Sequence, residues 1–393
     1  MVRTRLLANI VHLSLYDVSE SVYSELPHDF LARLLTYATD LRTLDLSPGY
    51  LISYPHISRV KSFHHGMKTL SLAGCQAFSS TTLPQFLSYF PNLSRLDLSG
   101  TSGVTPALFE NLPPLPLSAI RLRHQPYKIN DTTVRTLAES FHSNLSDLDL
   151  SFAEKTISNL SIDAIEEFCL ARPPSYSSEM QSVDIGPGPR TLGIAYTNIS
   201  ISSISRLLSS DMVRLVALDI AGLPHVAYSG VEFWESLHRG SSFSSLQKLR
   251  VDFSVFASNA SFNISPLPPR LTEFTLHNVP TVESTPPRVT RVLTMLLKDL
   301  IPINPFVKGL EVLNLEMASR ENEQELGMYA LEETEKDEID VIEAIKQWKR
   351  SQIRVWKGNT RVIRDVIGVR GYAQEFGSGV GDILGRWIPS DEV

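Results

Sequence analysis

The chain has few cysteines, no long apolar run and no excess of basic charge, and each shortage excludes a class of function. Cys75 and Cys169 are the only cysteines in 393 residues. Two thiols so placed build neither disulfide-bonded end caps nor a paired-cysteine metal site, and the expected setting is the cytoplasm or the nucleus. No segment approaches the roughly 20 consecutive apolar residues that cross a bilayer. The opening Met1–His12 has basic residues without a sustained apolar run or a cleavage site, so no membrane partner is expected. Lys and Arg number 36 against 43 Asp and Glu, a net charge of -7. Phosphate backbones are held by clustered cations, so no nucleic-acid partner is expected either.

Catalytic motifs are missing as well. There is no G-x-x-x-x-G-K phosphate loop and no H-E-x-x-H metal helix. Gly377-Ser-Gly-Val-Gly-Asp382 has glycines but lacks the lysine and the preceding strand of a phosphate loop. His64-His65 has no third ligand beside it and reads as a surface pair. Cys75 and Cys169 carry no nucleophile motif and read as small buried groups, one in a turn and one on a helix face. The expectation is no enzyme, no cofactor and no metal.

What the chain does have is a repeat. An apolar residue, two variable ones, an apolar residue, one variable and a further apolar residue recur as Ile10/Leu13/Leu15, Leu41/Leu44/Leu46, Met67/Leu70/Leu72, Leu93/Leu96/Leu98, Leu117/Ile120/Leu122 and Leu145/Leu148/Leu150. The series continues as Leu215/Leu218/Ile220, Leu246/Leu249/Val251, Leu271/Phe274/Leu276 and Leu310/Leu313/Leu315. A weaker copy, Leu192/Ile194, has Pro189 in the first place. Most spacings between middle positions lie within the roughly 20–29 residues of a leucine-rich repeat. Alternation at the end of each copy puts two side chains on one face of a short strand, pointing inward, and the residue between them on the opposite face. Parallel strands need a crossover, and the segments between copies have helical periodicity. Val134, Leu137, Ala138 and Phe141 are one example, with Asp131 as candidate N-cap. The expected fold is an α/β leucine-rich-repeat solenoid, a horseshoe of about eleven repeats with a parallel concave sheet and a helical convex side.

Domain boundaries follow from composition. Residues 1–319 form the solenoid, with loop insertions near 172–190 and 280–290 where proline, glycine and serine collect. Residues 320–340 are an acidic linker. Residues 341–393, opening with Val341, Ile342, Ile345 and Trp348 on one helix face, read as a helical cap that shields the last core layer or, alternatively, as a partner-binding tail.

Some copies carry a more specific likeness. Met67-Lys-Thr-Leu-Ser-Leu-Ala-Gly-Cys75 resembles the strand and turn of the cysteine-containing type of leucine-rich repeat. Ile129-Asn-Asp-Thr-Thr-Val-Arg-Thr-Leu-Ala138 is similar to the turn and helix of that type, and Leu145 to Ser151 returns to its strand. The resemblance spans Ile10 to Glu316. Such repeats are commonest in F-box proteins, where they capture substrates for a cullin-based ubiquitin ligase. The resemblance thus implies an adaptor or substrate receptor with ubiquitin ligase subunits among its partners. Thr101, Ala153, Thr197 and Ser254 stand where Cys75 does, and no F-box is recognisable ahead of the repeats: either there is none, or the chain begins inside a longer protein. Leu26 to Leu35 reads as an ordinary repeat helix.

The register also gives a binding face. Outward positions of the strands and the residues just after them include Tyr16, Asp97, Arg121, Arg123, Asp149, Phe152, Tyr196, Arg250, Phe253 and His277. Arginine and aromatics anchor interfaces, so these are the candidate contacts for a protein partner on the concave face of a monomer. Against this, the aspartates fit local hydrogen bonding, and Phe152, Tyr196 and Phe253 fit packing into the turn. The functional expectation is a protein-binding adaptor or substrate receptor. The alternatives are a ubiquitin-independent scaffold or regulatory inhibitor, and an enzyme with its site in the C-terminal tail.

Overall fold

The computed structural model of the chain describes residues 8–16, 26–47, 49, 52–112, 114–125, 128–141, 145–153, 156–170, 189–224, 229–260, 267–279 and 312–317. These residues divide into two compact units, with the boundary between Ile199 and Ser200. The expected acidic linker at 320–340, the cap at 341–393, the insertion at 280–290 and nearly all of that at 172–190 lie outside the described residues.

The first unit has seven strands: β1 (His12–Ser14), β2 (Thr43–Asp45), β3 (Thr69–Ser71), β4 (Arg95–Asp97), β5 (Ala119–Arg121), β6 (Asp147–Asp149) and β7 (Thr191–Gly193). They pair in parallel in chain order, with Leu13, Leu44, Leu70, Leu96, Ile120, Leu148 and Leu192 in one register row. Between them run helices α1 (Phe30–Tyr37), α2 (Tyr54–Ser58), α3 (Thr82–Leu87), α4 (Pro106–Glu110), α5 (Asp131–Phe141) and α6 (Asn159–Leu170). The second unit contains α7 (Ile201–Leu208), β8 (Ala217–Asp219), α8 (Ser229–Arg239), α9 (Ser242–Ser245), β9 (Lys248–Asp252), α10 (Phe253–Ala260), β10 (Glu273–Val279) and β11 (Val312–Met317). Its four strands are again parallel, with Leu218, Leu249, Phe274 and Leu313 in register. A strand therefore stands at each of the eleven copies read from the sequence. Both units are α/β leucine-rich-repeat solenoids.

The pattern dictates this packing. Leu93, Leu96 and Leu98 are fully buried, as are Met67, Leu70 and Leu72, because one coil alone cannot cover its leucines and stacking does so. The helical side closes the coil with Leu83, Phe86 and Leu87, and Phe86 meets Phe78 and Phe90 at 5.2 Å between ring centres. Serine at the strand entry adds a polar ladder. The Ser94 hydroxyl donates to the Lys68 carbonyl, Ser118 to that of Ser94 and Ser146 to that of Ser118, each at 3.1 Å. Much of the serine in these repeats is thus structural.

Two local expectations change. Asn130, not Asp131, caps α5: its Oδ1 accepts the Thr133 N–H at 3.0 Å. Asp131 enters the first turn, and its carboxylate accepts from the Ser158 N–H at 2.8 Å, tying one coil to the next. His64 and His65 are not a surface pair. His64 is buried, its Nε2 lies 2.9 Å from the Ala38 carbonyl oxygen, and only His65 is exposed.

The turn after each strand has its own chemistry. Thr101 donates to the Leu72 carbonyl at 2.7 Å and Gln125 to that of Leu98 at 2.6 Å, each side chain bonding backbone of the preceding coil. Cys75 occupies the equivalent place, fully buried, and burial together with the nearby Asp45 carboxylate pushes its thiol from 9.0 up to about 12. Since the folded value is the raised one, the neutral thiol favours the folded state. That contribution is complete below pH 9.0 and is lost as the pH climbs toward about 12. In a Cys169→Ser background, Cys75 is expected to resist a thiol-specific disulfide reagent at pH 8 and to react only when the first unit unfolds. Rapid labelling of the folded chain would contradict this burial.

Candidate functional site

The strand register brings Asp97, Arg121 and Asp149 side by side on β4, β5 and β6. Each aspartate first serves its own strand end: the Asp97 carboxylate accepts the Ser99 N–H at 2.9 Å and Asp149 accepts that of Ser151 at 3.1 Å. Asp45 and Asp219 do the same for Ser47 and Ala221, at 2.9 and 3.2 Å. Aspartate recurs at this position because its side chain caps the exit of the strand. Arg123 adds a second layer, its Nε donating to Asp149 Oδ2. Burial raises the Asp97 carboxyl above its ordinary range, while Arg121, the Ser99 hydrogen bonds and Arg123 pull it down. Burial lowers the Arg121 guanidinium to about 10, opposed by Asp97 and Asp149. Arg121 therefore stays charged at neutral pH. The cluster is a largely buried set of charges that compensate one another.

Beside it runs a row of rings. The residue two places after the last apolar position takes positive φ in coil after coil: Gly74 (76°), Gly100 (60°), His124 (53°), Phe152 (65°) and Tyr196 (54°). The backbone demands it, because the chain turns there while its N–H reaches the next coil. Gly74 bonds the Ser99 carbonyl at 2.8 Å, Gly100 that of Arg123 at 2.8 Å, and Phe152 that of Ala195 at 2.7 Å. Glycine meets this requirement at no steric cost, whereas a side chain there costs roughly 1–2 kcal/mol per residue. Yet the last three of these positions carry rings. His124 stacks on Phe152 at 4.3 Å and 19°, and Phe152 on Tyr196 at 4.7 Å and 14°. His124 is exposed and the other two half-buried. Stacking recovers about 0.5–1.5 kcal/mol per pair, comparable with the strain. The sequence reading missed His124. Its offset after Leu122 matches that of Phe152 after Leu150 and Tyr196 after Ile194, and that shared offset was the available signal.

Other candidates lie elsewhere. Tyr16 is 57% exposed beside β1. In the second unit Arg250 and Phe253 are each only 2% exposed. Phe253 does not follow the turn of its counterparts but opens α10 and is buried, so it is no exposed aromatic. Arg250 points outward from β9 but is enclosed: its Nη1 lies 3.2 Å from Asp219 Oδ2 and its Nη2 3.3 Å from His277 Nδ1. Asp252 accepts the Gly222 N–H at 3.1 Å and faces Asn278. Arg250 and its neighbours therefore form a structural ion-pair network. Among the described residues no group of three or more His, Cys, Asp or Glu is placed to hold a metal, and no helix is long and apolar enough to cross a membrane.

No protein-family model matches the chain, and no curated protein matches it. Among solved structures the chain is similar to Rad7 in a complex with Elc1 from yeast, with 16% identity over 75% of this chain and 69% of that one, at a TM-score of 0.46. It is also similar to an internalin of Listeria monocytogenes, with 11% identity over 71% of this chain and 62% of that one, at a TM-score of 0.34.

Proposed function

We propose that the chain is a protein-binding module and that its first unit receives the partner along Arg121, Arg123 and the His124–Phe152–Tyr196 row. One observation carries this reading: three ring-bearing residues hold a positive φ at the place where Gly74 and Gly100 stand. Backbone outliers kept in this way cluster at sites of function. Planar rings with few rotatable bonds, set beside arginine, are the usual anchors of protein interfaces. Asp97 and Asp149 flank Arg121 on the neighbouring strands, and the buried Asp149 holds Arg123 in place for a partner. Binding rather than catalysis fits a site whose charged groups compensate one another and whose aspartates are engaged by their own backbone. Tyr16 lies at the far end of the same strand row and is a secondary contact. We read the chain as a monomer of the cytoplasm or nucleus.

The test is co-purification from the chain's own cells, with wild type and a His124→Gly/Phe152→Gly/Tyr196→Gly variant read side by side by mass spectrometry. A protein enriched with wild type and lost with the variant is the expected result. Recovery of the same proteins at the same level would overturn the assignment. A narrower reading, an adaptor or substrate receptor linked to ubiquitin transfer, is favoured by Cys75, fully buried in its turn as the likeness of Met67–Cys75 to cysteine-containing repeats implies. Cullin-adaptor components among the ring-dependent proteins would support it. Their absence would leave a scaffold or regulatory inhibitor.

A further inference from the structure

The opposite end of the strands in the first unit has a different surface. Residues 46–96 contain no aspartate or glutamate, although the chain has 43 in 393 residues. At that density between five and six would be expected. Within and beside this stretch, where helix passes into strand, Arg42, Arg59, Lys61, His65 and Lys68 are all exposed. Arg42 and Lys68 sit in adjacent coils, the Lys68 N–H bonding the Arg42 carbonyl at 2.8 Å. An aromatic ridge runs through these cations. Tyr37, Phe63 and Tyr89 each stand four residues before the first apolar position of their repeat, so they occupy the same place in three successive coils. His64 fixes the rungs, its N–H bonding the Tyr89 carbonyl at 2.8 Å and its Nε2 lying 2.9 Å from the Ala38 carbonyl oxygen. Phe63 meets Tyr89 edge to face at 5.8 Å and stacks on His65 at 6.2 Å. It is nonetheless 62% exposed, and Tyr37 is 44% exposed. The acids nearby are Asp40, exposed, and Asp29, which is bound to Arg33 at 2.6 Å.

An apolar ridge rimmed by one sign of charge marks a docking surface, and the sign names the occupant. We propose that this edge binds an acidic segment of a partner protein that also carries aromatic side chains. Its carboxylates would meet Arg59, Lys61 and Lys68 while its rings pack on Phe63 and Tyr89. A nucleic acid fits less well, because a handful of separated cations on a chain of net charge -7 releases few counterions. An anionic membrane surface calls for a denser cluster of lysine and arginine.

The probe is a fluorescent random copolymer of glutamate and tyrosine, titrated onto the full chain and followed by anisotropy. Wild type is expected to bind with an affinity that falls as salt rises, as attraction between exposed charges does. Phe63→Ser and Arg59→Glu/Lys61→Glu should each weaken binding about tenfold or more with unchanged melting temperatures, because all three side chains are exposed. The His124→Gly/Phe152→Gly/Tyr196→Gly variant should bind as wild type does, which separates this edge from the ring row. No binding by wild type, equal binding by the Phe63 and Arg59/Lys61 variants, or loss confined to the triple glycine variant would each overturn the proposal. Tighter binding of an oligothymidylate or of phosphatidylserine vesicles would assign the edge to another class of partner. A dimer dispersed by Phe63→Ser would assign it to a second copy of the chain.

Discussion

Arg250→Ala is expected to destabilise the second unit by about 3–5 kcal/mol, the usual consequence of breaking a buried ion pair from one side. Asp219 is fully buried and Arg250 nearly so, at 3.2 Å. Removing the guanidinium leaves the carboxylate in the interior without that charge, and it removes the bond to His277 as well. The desolvation already incurred by Asp219 then loses its compensating charge, although the bond from the Ala221 N–H stays. Asp219→Asn combined with Arg250→Met should restore at least half of the loss, since an uncharged pair of similar volume no longer carries that penalty. Denaturant unfolding of the three chains checks both statements. A change near 1 kcal/mol for Arg250→Ala, typical of an exposed pair, would show that the pair is not buried as described.

Gly240→Ala should be nearly as damaging, at about 3 kcal/mol, the upper end of ordinary overpacking costs. Gly240 lies between α8 and α9, and a Cβ there would stand 1.7 Å from the Leu208 carbonyl oxygen and 2.9 Å from its carbon. Both atoms belong to backbone at the end of α7, so no rotamer change relieves the clash and α7 and α8 must move apart. Gly66→Ala is the control, because its nearest neighbours are at 3.4 Å. It should shift stability by less than 1 kcal/mol. Thermal unfolding of the two variants reads the difference directly, and equal behaviour would contradict the close approach at Gly240.

How much of this was legible beforehand depends on what each pattern encodes. The strands were, because the apolar-x-x-apolar-x-apolar period is itself the register: Leu13, Leu44, Leu70 and Leu96 recur in sequence as they pair in space. Direction was legible too, since alternation tells which face a residue leaves from. Burial was not. Arg250 leaves β9 outward as expected and is enclosed all the same, and Phe253 sits at the offset of Phe152 yet starts a helix and packs inward. The serine ladder was hidden because a hydroxyl bonding a neighbouring coil leaves no periodicity of its own beyond the serine. His124 was missed because imidazole does not stand out by hydrophobicity. Its significance appears only when it is aligned with Gly74 and Gly100 and seen to share their positive φ.

The central claim is that the His124–Phe152–Tyr196 row is kept for a partner and that the fold does not need it. Replacement by glycine relieves the strain of roughly 1–2 kcal/mol per residue and forfeits stacking of about 0.5–1.5 kcal/mol per pair. It also adds roughly 0.5–1 kcal/mol of chain entropy per site to the unfolded state. These terms nearly cancel, and the apolar area lost by the half-buried Phe152 and Tyr196 leaves a deficit of about 1 kcal/mol per ring. The direct measurement is the unfolding midpoint of the His124→Gly/Phe152→Gly/Tyr196→Gly chain against wild type. The account predicts a change equivalent to no more than about 1 kcal/mol per site, whereas a loss of about 3 kcal/mol or more per ring, as for phenylalanines in a core, would show that the rings hold the solenoid together and contradict it.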